Sequence, residues 1–417
     1  MAAIPVIWRL RAGTQEQALQ PAAPEAADRR QVLAQNEPVR VGILYSETGA
    51  TSTIGHSQLQ GALLAVEEIN DAGGLLGREL VAVQYDPAST PSRYAELAEQ
   101  LILRDQINVI FGCYMSSSRK AVIPVVEKWN KLLFYPTLYE GFEFSGNVIY
   151  TGAAPNQNSV QLADFMTSSF GARVYLIGSD YIYPYESNRI MRELVMQHPD
   201  SEILGEHYLP IDASEGDYRA IMEDIRVKQP DFIFSTVVGD STASLYRAYA
   251  DAGFNPRTMP IASLTTSEAE IAQMGPEAAQ GHFMAAPYFQ SIDSPANHSF
   301  LARLRRRFGD HCCPNLCWEA AYFQTHLFAN AFRQAGSDNI SELLPQLLGS
   351  EFEAPQGRVR VDPGNHHTWL YPRVGRANAQ GEFTIVRQAT RAVSPDPYLV
   401  THSLGDWTAK LDTMEEA

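Results

Sequence analysis

Hydroxyl-bearing side chains recur directly after short apolar segments, at the point where a parallel sheet would present its ligand contacts. The segments that follow these predicted strands are Cys113–Ser118 (CYMSSS), Pro136–Glu140 (PTLYE), Ser179–Pro184 (SDYIYP), Val237–Asp240 (VVGD) and Leu264–Thr266 (LTT). A hydroxyl can donate and accept a hydrogen bond, which suits a ligand that carries both N–H and C=O groups. Neutral partners also avoid the cost of burying an unpaired charge. The pattern therefore predicts a site for a small uncharged polar molecule; ordinary polar loops are the alternative.

Signatures of catalysis and of cofactor binding are absent from the sequence. It contains no GxxxxGK[ST], GxGxxG, GxSxG or HExxH motif. Cys312, Cys313 and Cys317 cluster without a nearby histidine pair, so we expect small buried side chains rather than zinc ligands. The adjacent His366 and His367 would point apart on a strand, which also argues against a shared metal. We predict no metal, no cofactor and no enzymatic activity.

The elements that must position these side chains alternate between strand and helix. A strand at Asn108–Gly112 precedes a helix at Ser117–Trp129, and further helices are predicted at Gly61–Asn70 and near Glu186–Gln197. Such alternation is typical of parallel sheets in an α/β architecture. One sheet of so many strands would be unusually wide. We therefore predict two doubly wound, Rossmann-like lobes with a break near Thr151–Asn158 (TGAAPNQN).

Composition narrows the partners and the compartment. The 417 residues include 32 Lys and Arg against 48 Asp and Glu, a net charge of −16, so direct nucleic-acid binding is not expected. Four cysteines are too few for a disulfide scaffold and fit a reducing compartment. The sequence contains no run of about 18 apolar residues, so no membrane-spanning helix is predicted. The N-terminus lacks the pattern of a secretory signal, so the simplest expectation is a cytoplasmic protein whose residues 1–38 form a flexible tail.

Several longer stretches resemble the amide sensors of bacterial aliphatic amidase operons, a family of negative regulators of amidase expression. These stretches are Leu44–Gly49 (LYSETG), Phe111–Met115 (FGCYM), Arg119–Pro124 (RKAVIP), Tyr135–Phe142 (YPTLYEGF), Ala154–Ser159 (APNQNS), Ile177–Asn188 (IGSDYIYPYESN), Phe234–Gly239 (FSTVVG), Pro260–Glu270 (PIASLTTSEAE) and Ala286–Asp293 (APYFQSID). The resemblance runs from about Val39 to Trp407.

This resemblance implies the type I periplasmic-binding-protein fold, in which two lobes joined by three hinge crossovers hold a ligand in the cleft. Lobe 1 would comprise residues 39–153 plus about 286–340, and lobe 2 residues 154–285 plus about 341–410. The matching motifs imply ligand contacts at Tyr114, Ser116, Tyr135, Thr137, Tyr181, Tyr183 and Val237. Ser116 and the tyrosine hydroxyls would contact the amide ends, and Thr137 would limit the alkyl side. Leu138 stands where the family pattern has proline.

The resemblance also implies a function. The poorly liganded chain would hold an RNA-binding antiterminator protein inactive, and a small amide such as acetamide would release it. A second hypothesis is a solute-binding protein that feeds urea or short-chain amides to an ABC transporter, since urea and branched-chain amino-acid receptors share this fold. That protein would lie in the periplasm. The binding site alone does not separate the two hypotheses, and whether the chain forms a homo-oligomer stays open.

Overall fold

Two larger β-sheets and one small sheet organise the chain. The computed structural model describes residues 37–400. The predicted flexible tail, residues 1–38, lies outside the described residues except for its last two positions.

Five parallel strands form the sheet of lobe 1. They are β1 (Val39–Leu44), β2 (Leu80–Gln84), β3 (Val109–Gly112), β4 (Leu132–Tyr135) and β5 (Val148–Tyr150). Their order is β2-β1-β3-β4-β5, and every neighbouring pair is parallel. The strands β3, β4 and β5 are buried along their whole length, which explains why they are continuous apolar runs rather than alternating patterns. The helices α1 (Ser52–Asp71), α2 (Pro91–Leu103) and α3 (Ser116–Lys128) connect them.

A seven-stranded sheet forms lobe 2. The strands of a separate three-stranded sheet lie between two of its strands in the sequence. The remaining strands are β6 (Arg173–Ser179), β7 (Glu202–Leu209), β8 (Phe232–Thr236), β9 (Ile261–Ser263), β10 (Phe283–Ala286), β11 (Glu351–Ala354), β12 (Gly357–Val361), β13 (Thr368–Trp369), β14 (Arg373–Ala377) and β15 (Phe383–Gln388). The order in lobe 2 is β15-β14-β10-β9-β8-β6-β7. Strands β6 to β10 pair in parallel, whereas β14 and β15 add antiparallel pairs at one edge.

Nine further α-helices follow in the described chain, after a single turn of 3₁₀-helix at Pro155–Gln157. They are α4 (Ser159–Phe170), α5 (Ile182–Val195), α6 (Glu215–Lys228), α7 (Ser241–Asp251), α8 (Glu268–Met274), α9 (Pro276–Ala279), α10 (Pro295–Phe308), α11 (Leu316–Ala335) and α12 (Ile340–Leu347).

Helix α11 returns the chain to lobe 1 after the lobe 2 strand β10. It packs along α1, and the approach is so close that a Cβ on Gly61 would lie 2.3 Å from the carbonyl oxygen of Trp318. Gln324 of α11 donates to the Tyr45 hydroxyl at 2.9 Å and accepts from the Thr151 hydroxyl at 2.9 Å. These buried bonds tie α11 to β1 and to the segment after β5. The chain therefore passes between the lobes after β5, after β10 and again before β14.

The predicted α/β fold with two doubly wound lobes is confirmed, but two helix starts differ from the sequence prediction. Helix α1 begins at Ser52 rather than Gly61. Its first part was not predicted because the buried polar residues Ser57 and Gln58 interrupt the apolar periodicity there. Helix α5 begins at Ile182 rather than near Glu186. The earlier start brings Tyr183 into the first turn of the helix.

Candidate functional site

The carboxyl ends of strands β3 and β4 supply the lobe 1 side of the candidate site. Tyr114 follows β3, and Ser116 is the first residue of helix α3. Tyr135 ends β4, and Thr137 lies two residues beyond it. Because β3 and β4 are parallel neighbours, their carboxyl ends meet at one edge of the sheet. The four side chains are thereby brought together from two loops.

The lobe 2 side comes from the ends of three strands. Tyr181 and Tyr183 follow β6, and Tyr183 lies in the first turn of α5. Val238 follows β8 and Thr265 follows β9. Strands β6, β8 and β9 are parallel neighbours, so these residues also meet at one sheet edge. The two edges face each other across the cleft between the lobes.

A small cavity lies between the two sheet edges. It holds about 10 Å³ of space for the centre of a water-sized sphere, within about 190 Å³ of space between atoms that includes open solvent. Ordinary ligand pockets measure about 300–1,000 Å³, and about 10–15 Å³ of such space holds one water molecule, so only a very small ligand fits this conformation. The lining residues carry no formal charge at neutral pH: Tyr114, Ser116, Tyr135, Thr137, Leu138, Tyr181, Tyr183, Val238 and Thr265.

All the predicted site residues except Val237 line this cavity. Val237 is fully buried, and its carbonyl oxygen accepts from the hydroxyls of Thr265 at 2.7 Å and Thr242 at 3.3 Å. The next residue, Val238, lines the cavity instead, since successive side chains of an extended segment point in opposite directions. Leu138 and Thr265 also line it; they lie in the predicted segments Pro136–Glu140 and Leu264–Thr266 but were not named as ligand contacts. Thr265 follows β9 at the same sheet edge, which is the signal that could have selected it.

Ser116 is held by a buried ion pair behind the cavity wall. Its hydroxyl donates to Glu140 Oε2 at 2.6 Å and accepts from Arg119 Nη1 at 3.2 Å. Arg119 Nη2 donates to Glu140 Oε1 at 2.8 Å, and Arg119 Nε donates to Glu143 at 2.7 Å. Burial acts to lower the pKa of Arg119, but Glu140 raises it well above its usual value. The guanidinium is therefore charged at physiological pH.

Tyr135 and Thr137 are fixed by uncharged partners. The Tyr135 hydroxyl donates to the backbone oxygen of Tyr114 at 2.8 Å. Thr137 Oγ1 accepts from Gln58 Nε2 at 3.0 Å and has the carbonyl of Cys113 at 3.4 Å as an acceptor. These bonds orient both side chains, so the cavity wall on lobe 1 is preformed.

The Tyr183 hydroxyl is buried and makes no hydrogen bond of normal geometry to any other described residue. Burial raises the pKa of Tyr183, and the nearby Ser187 hydroxyl offsets only part of this effect. Burial also raises the pKa of Tyr114 and of Tyr181 well above the usual value. All three are therefore neutral phenols at physiological pH. A buried hydroxyl without a partner costs free energy, and a ligand in the cavity would supply that partner.

Polar contacts also cross the cleft outside the cavity. Gln273 of α8 donates through Nε2 to Thr53 Oγ1 of α1 at 3.0 Å. A Cβ on Gly239, which has a φ of +70°, would lie 2.5 Å from the carbonyl oxygen of Ala50. The two lobes therefore touch around the cavity, and this conformation is a closed one.

The cysteine and histidine clusters have structural surroundings. Among residues 37–400 no group of three His, Cys, Asp or Glu side chains could hold a metal ion. Burial raises the pKa of Cys312 to about 11 and that of Cys317 further, so these thiols are poor nucleophiles. His367 stacks on Tyr150 with ring centroids 4.2 Å apart, and burial lowers its pKa well below the usual value.

A larger groove of about 1040 Å³ runs along strand β15 and the start of helix α10. None of the predicted site residues lines it. Its walls carry charged side chains, among them Asp293, Glu353 and Glu382, whereas the convergent hydroxyls all lie at the small cavity.

No helix among the described residues combines the length and the apolar character needed to cross a bilayer. A family profile described as "Periplasmic binding protein domain" matches residues 39–404. The chain belongs to the periplasmic binding protein family. Its fold is the type I fold of that family, as the resemblance implied.

Relatives of this periplasmic binding protein are distant in sequence and close in fold. It is 21% identical over 332 residues to a leucine-, isoleucine-, valine-, threonine- and alanine-binding protein of Pseudomonas aeruginosa, covering 78% of this chain and 86% of that protein. A solute-binding protein of an ABC transporter from Rhodopseudomonas palustris BisB5, in complex with 3,4-dihydroxybenzoic acid, has a TM-score of 0.77 and 19% identity, covering 86% and 98% of the two chains. A branched-chain amino acid transporter substrate-binding protein from Streptococcus pneumoniae, in complex with isoleucine, has a TM-score of 0.74 and 19% identity, covering 86% and 100%.

A shorter match has a different name. Over 133 residues the chain is 29% identical to a "limonene hydroxylase" of Geobacillus stearothermophilus, and the match covers 32% of this chain but only 24% of that protein. The activity in that name is therefore not carried over. Membership of a binding-protein family confirms the prediction that the chain is not an enzyme.

Family membership also bears on compartment and role. The chain has the fold of the solute-binding proteins of ABC transporters. The predicted cytoplasmic location receives no support from the comparisons, whereas the alternative, the periplasm, accords with the family.

Proposed function

We propose that this protein is a receptor for a small neutral amide or urea and that it serves as the solute-binding protein of an ABC transporter. The observation that carries the proposal is the cavity itself, which is very small and is lined by neutral residues, most of which carry hydroxyl groups. Urea and acetamide, with four heavy atoms each, are small polar molecules without a charge, which suits this lining.

The ligands of the solved relatives fit this cavity poorly. A free amino acid brings an ammonium and a carboxylate group, each of which needs a charged or multiply hydrogen-bonded partner when buried. The cavity lining provides no charged side chain. Isoleucine and dihydroxybenzoate are also much larger than the available space. The ligand class of this chain therefore differs from that of the relatives, although the fold is shared.

The proposed contacts follow from the hydrogen bonds already present. Tyr183, whose hydroxyl makes no hydrogen bond of normal geometry to another described residue, donates to the ligand carbonyl. Ser116 and the other tyrosine hydroxyls contact the amide ends, and Thr137 with Leu138 limits the alkyl side. Closure of the two lobes brings Tyr183 to a ligand already seated on lobe 1, so binding favours the closed state.

Regulation of amidase expression is the second candidate. It is favoured by the sequence stretches that resemble amide sensors, because these include Tyr135–Phe142 and Ile177–Asn188 around the cavity. In this role the open form would hold an antiterminator protein, and the liganded form would release it. Deletion of the gene separates the two roles: loss of amide or urea uptake supports transport, and inducer-independent amidase expression supports regulation.

Calorimetric titration of the purified protein tests the ligand class. We expect acetamide or urea to bind, and leucine, isoleucine and benzoate to give no heat of binding. The variant Tyr183→Phe should weaken amide binding by about tenfold, the effect of one lost hydrogen bond of about 1–1.5 kcal/mol. Tyr185→Phe is the matched control, since Tyr185 lies on the same helix but is exposed and donates to Asp180. Tight binding of leucine, with none of acetamide or urea, would contradict the proposal.

A further inference from the structure

The Ser116 hydroxyl already donates its proton to an acceptor within the protein. Its oxygen lies 2.6 Å from Glu140 Oε2 and 3.2 Å from Arg119 Nη1. A serine hydroxyl has one proton to donate, and a carboxylate is a stronger acceptor than any neutral group. With Arg119 occupying one lone pair, the Ser116 oxygen can offer only its other lone pair to a ligand in the cavity.

The Tyr135 hydroxyl also donates its proton to an acceptor within the protein. Its one proton is donated to the backbone oxygen of Tyr114 at 2.8 Å. The Tyr135 oxygen therefore also faces the cavity as an acceptor. Ser116 and Tyr135 together form an acceptor patch on lobe 1. On the opposite side the Tyr183 hydroxyl makes no hydrogen bond of normal geometry to a described residue, so a ligand carbonyl can accept its proton. The acceptor patch and Tyr183 therefore lie on opposite sides of the cavity.

The ion pair that sets this polarity is built into the core of lobe 1. The side chains of Arg119 and Glu140 are 0% and 2% exposed. The Arg119 guanidinium lies 4.8 Å from the Tyr135 ring centre and 5.1 Å from the Tyr139 ring centre. Neither charged residue lines the cavity. This pair can therefore influence the ligand through its contacts with two residues of the cavity wall, the Ser116 hydroxyl and the Tyr135 ring.

We propose that Arg119 and Glu140 are positioning residues that turn the Ser116 proton away from the cavity, so that the site selects a ligand with an NH2 group over an isosteric ligand without one. The inference rests on the proposed function and narrows it: the ligand must present N–H groups to the acceptor patch and a C=O group to Tyr183. A methyl group at this end of the ligand would leave the acceptors of the patch without a hydrogen-bond donor. A carbonyl oxygen there would be repelled by them.

Acetone is the decisive comparison, because it replaces the NH2 group of acetamide by a methyl group at nearly equal size and without charge. We expect the wild-type protein to prefer acetamide over acetone by about a hundredfold or more, since buried polar groups would stay unpaired with acetone. In Glu140→Gln the new side-chain NH2 group can donate to the Ser116 oxygen. The proton of the Ser116 hydroxyl is then free to point toward the cavity. The ratio of the acetamide affinity to the acetone affinity should then be about tenfold lower than in the wild type. Glu140→Asp keeps a carboxylate and should therefore keep part of the wild-type ratio.

Two further variants keep the test independent of folding. Ser116→Ala leaves the ion pair intact and should narrow the same preference. Glu319→Gln is the matched control, because Glu319 is an equally buried glutamate that bonds to Gln356 outside the cavity; its preference should equal that of the wild type. A merely structural role of Glu140 would lower stability and both affinities together, leaving their ratio unchanged.

The outcomes separate this inference from the proposed function. If the wild type binds acetamide and both Glu140→Gln and Ser116→Ala keep the full preference over acetone, the positioning role is overturned and the proposed ligand class survives. If the wild type binds neither acetamide nor urea, the proposed function fails and the positioning role fails with it.

Discussion

The guanidinium of Arg189 in lobe 2 lies 5.0 Å from the ring centre of Phe142 in lobe 1. Phe142 belongs to the loop between β4 and β5 and has a φ of +65°, an uncommon backbone conformation for a bulky residue. Arg189 lies on helix α5, where ion pairs with Glu186 and Glu193 hold its position. This cation–π contact joins the segments that follow β4 and β6, the same strands that supply Tyr135 and Tyr183. It is therefore a contact of the closed state.

Loss of this contact should speed ligand release. Replacing Arg189 by Met removes the cation–π interaction, which contributes about 0.5–1 kcal/mol at an exposed site. We expect ligand dissociation to accelerate by about two- to fivefold, measured by stopped-flow displacement. Arg192→Met is the control, because Arg192 lies on the same helix but pairs with Glu206 inside lobe 2. Equal dissociation rates in the wild type and Arg189→Met would mean that the contact does not hold the lobes together.

A smaller side chain at position 138 should admit longer amides. Leu138 is 4% exposed and lines the cavity, so Leu138→Ala opens space on the alkyl side. Because each methylene in an apolar pocket contributes about 1–3 kcal/mol, propionamide and butyramide should gain affinity relative to acetamide in competition titrations. Leu133→Ala provides a control, since Leu133 is buried in β4 but does not line the cavity. An unchanged order of ligands in Leu138→Ala would exclude Leu138 from the specificity pocket.

The sequence carried enough information to predict most of the fold and most of the cavity lining. Strand ends are visible as apolar runs that stop at polar residues, and the parallel fold brings these ends to one edge. Tyr114, Ser116, Tyr135 and Thr137 were predicted on that ground together with the family resemblance. What the sequence could not give is the direction of individual side chains. Val237 and Val238 are adjacent valines, and only the backbone geometry decides that Val238 faces the cavity.

The Arg119–Glu140 pair was equally hidden. The two residues are 21 positions apart, on a helix and on a loop, and each is an ordinary surface-type residue in the sequence. Their burial follows from the packing of helix α3 against the loop after β4, which no local pattern reveals. Glu140 lies in a polar segment after β4, where nothing in the sequence indicates a partner, and the structure pairs it with Arg119 behind Ser116.

Breaking this pair should destabilise the fold strongly. Arg119→Met leaves the Glu140 carboxylate buried without its counter-charge, and removal of one partner of a buried pair costs about 3–5 kcal/mol. We expect that loss in the free energy of unfolding measured with urea. The double variant Arg119→Met/Glu140→Gln should recover part of the loss, because it removes the uncompensated charge as well. Equal stability of Arg119→Met and the wild type would mean that the pair is solvated in solution.

The stability of the protein should fall as the pH rises toward 8. Burial raises the pKa of Glu268 to about 8, and one of its carboxylate oxygens has no partner among the described residues. Burial likewise raises the pKa of Glu319 to about 8 and that of Glu270 to about 7. The ordinary value is 4.5, so above that pH the folded state holds protons that the unfolded chain has lost. These three groups therefore make the free energy of unfolding decrease with rising pH until about pH 8. The buried histidines His282 and His367, whose pKa values are lowered, act in the opposite direction until about pH 7, so the net decrease is expected between about pH 7 and pH 8.

The substitution Glu268→Gln isolates one of these groups. Between pH 6.5 and 7.5 a single carboxyl of this kind contributes a slope of about 1 kcal/mol per pH unit, and the variant should lose that share of the slope. Histidine titration contributes a slope of opposite sign, since burial lowers the pKa of His282 to about 3 and that of His367 well below its usual value. This contribution is the same in the variant and in the wild type, so it cancels in the comparison. The exposed Glu277→Gln serves as the control. Urea unfolding at several pH values gives the slopes, and an identical slope in Glu268→Gln and the wild type would mean that Glu268 is already ionised in the folded protein.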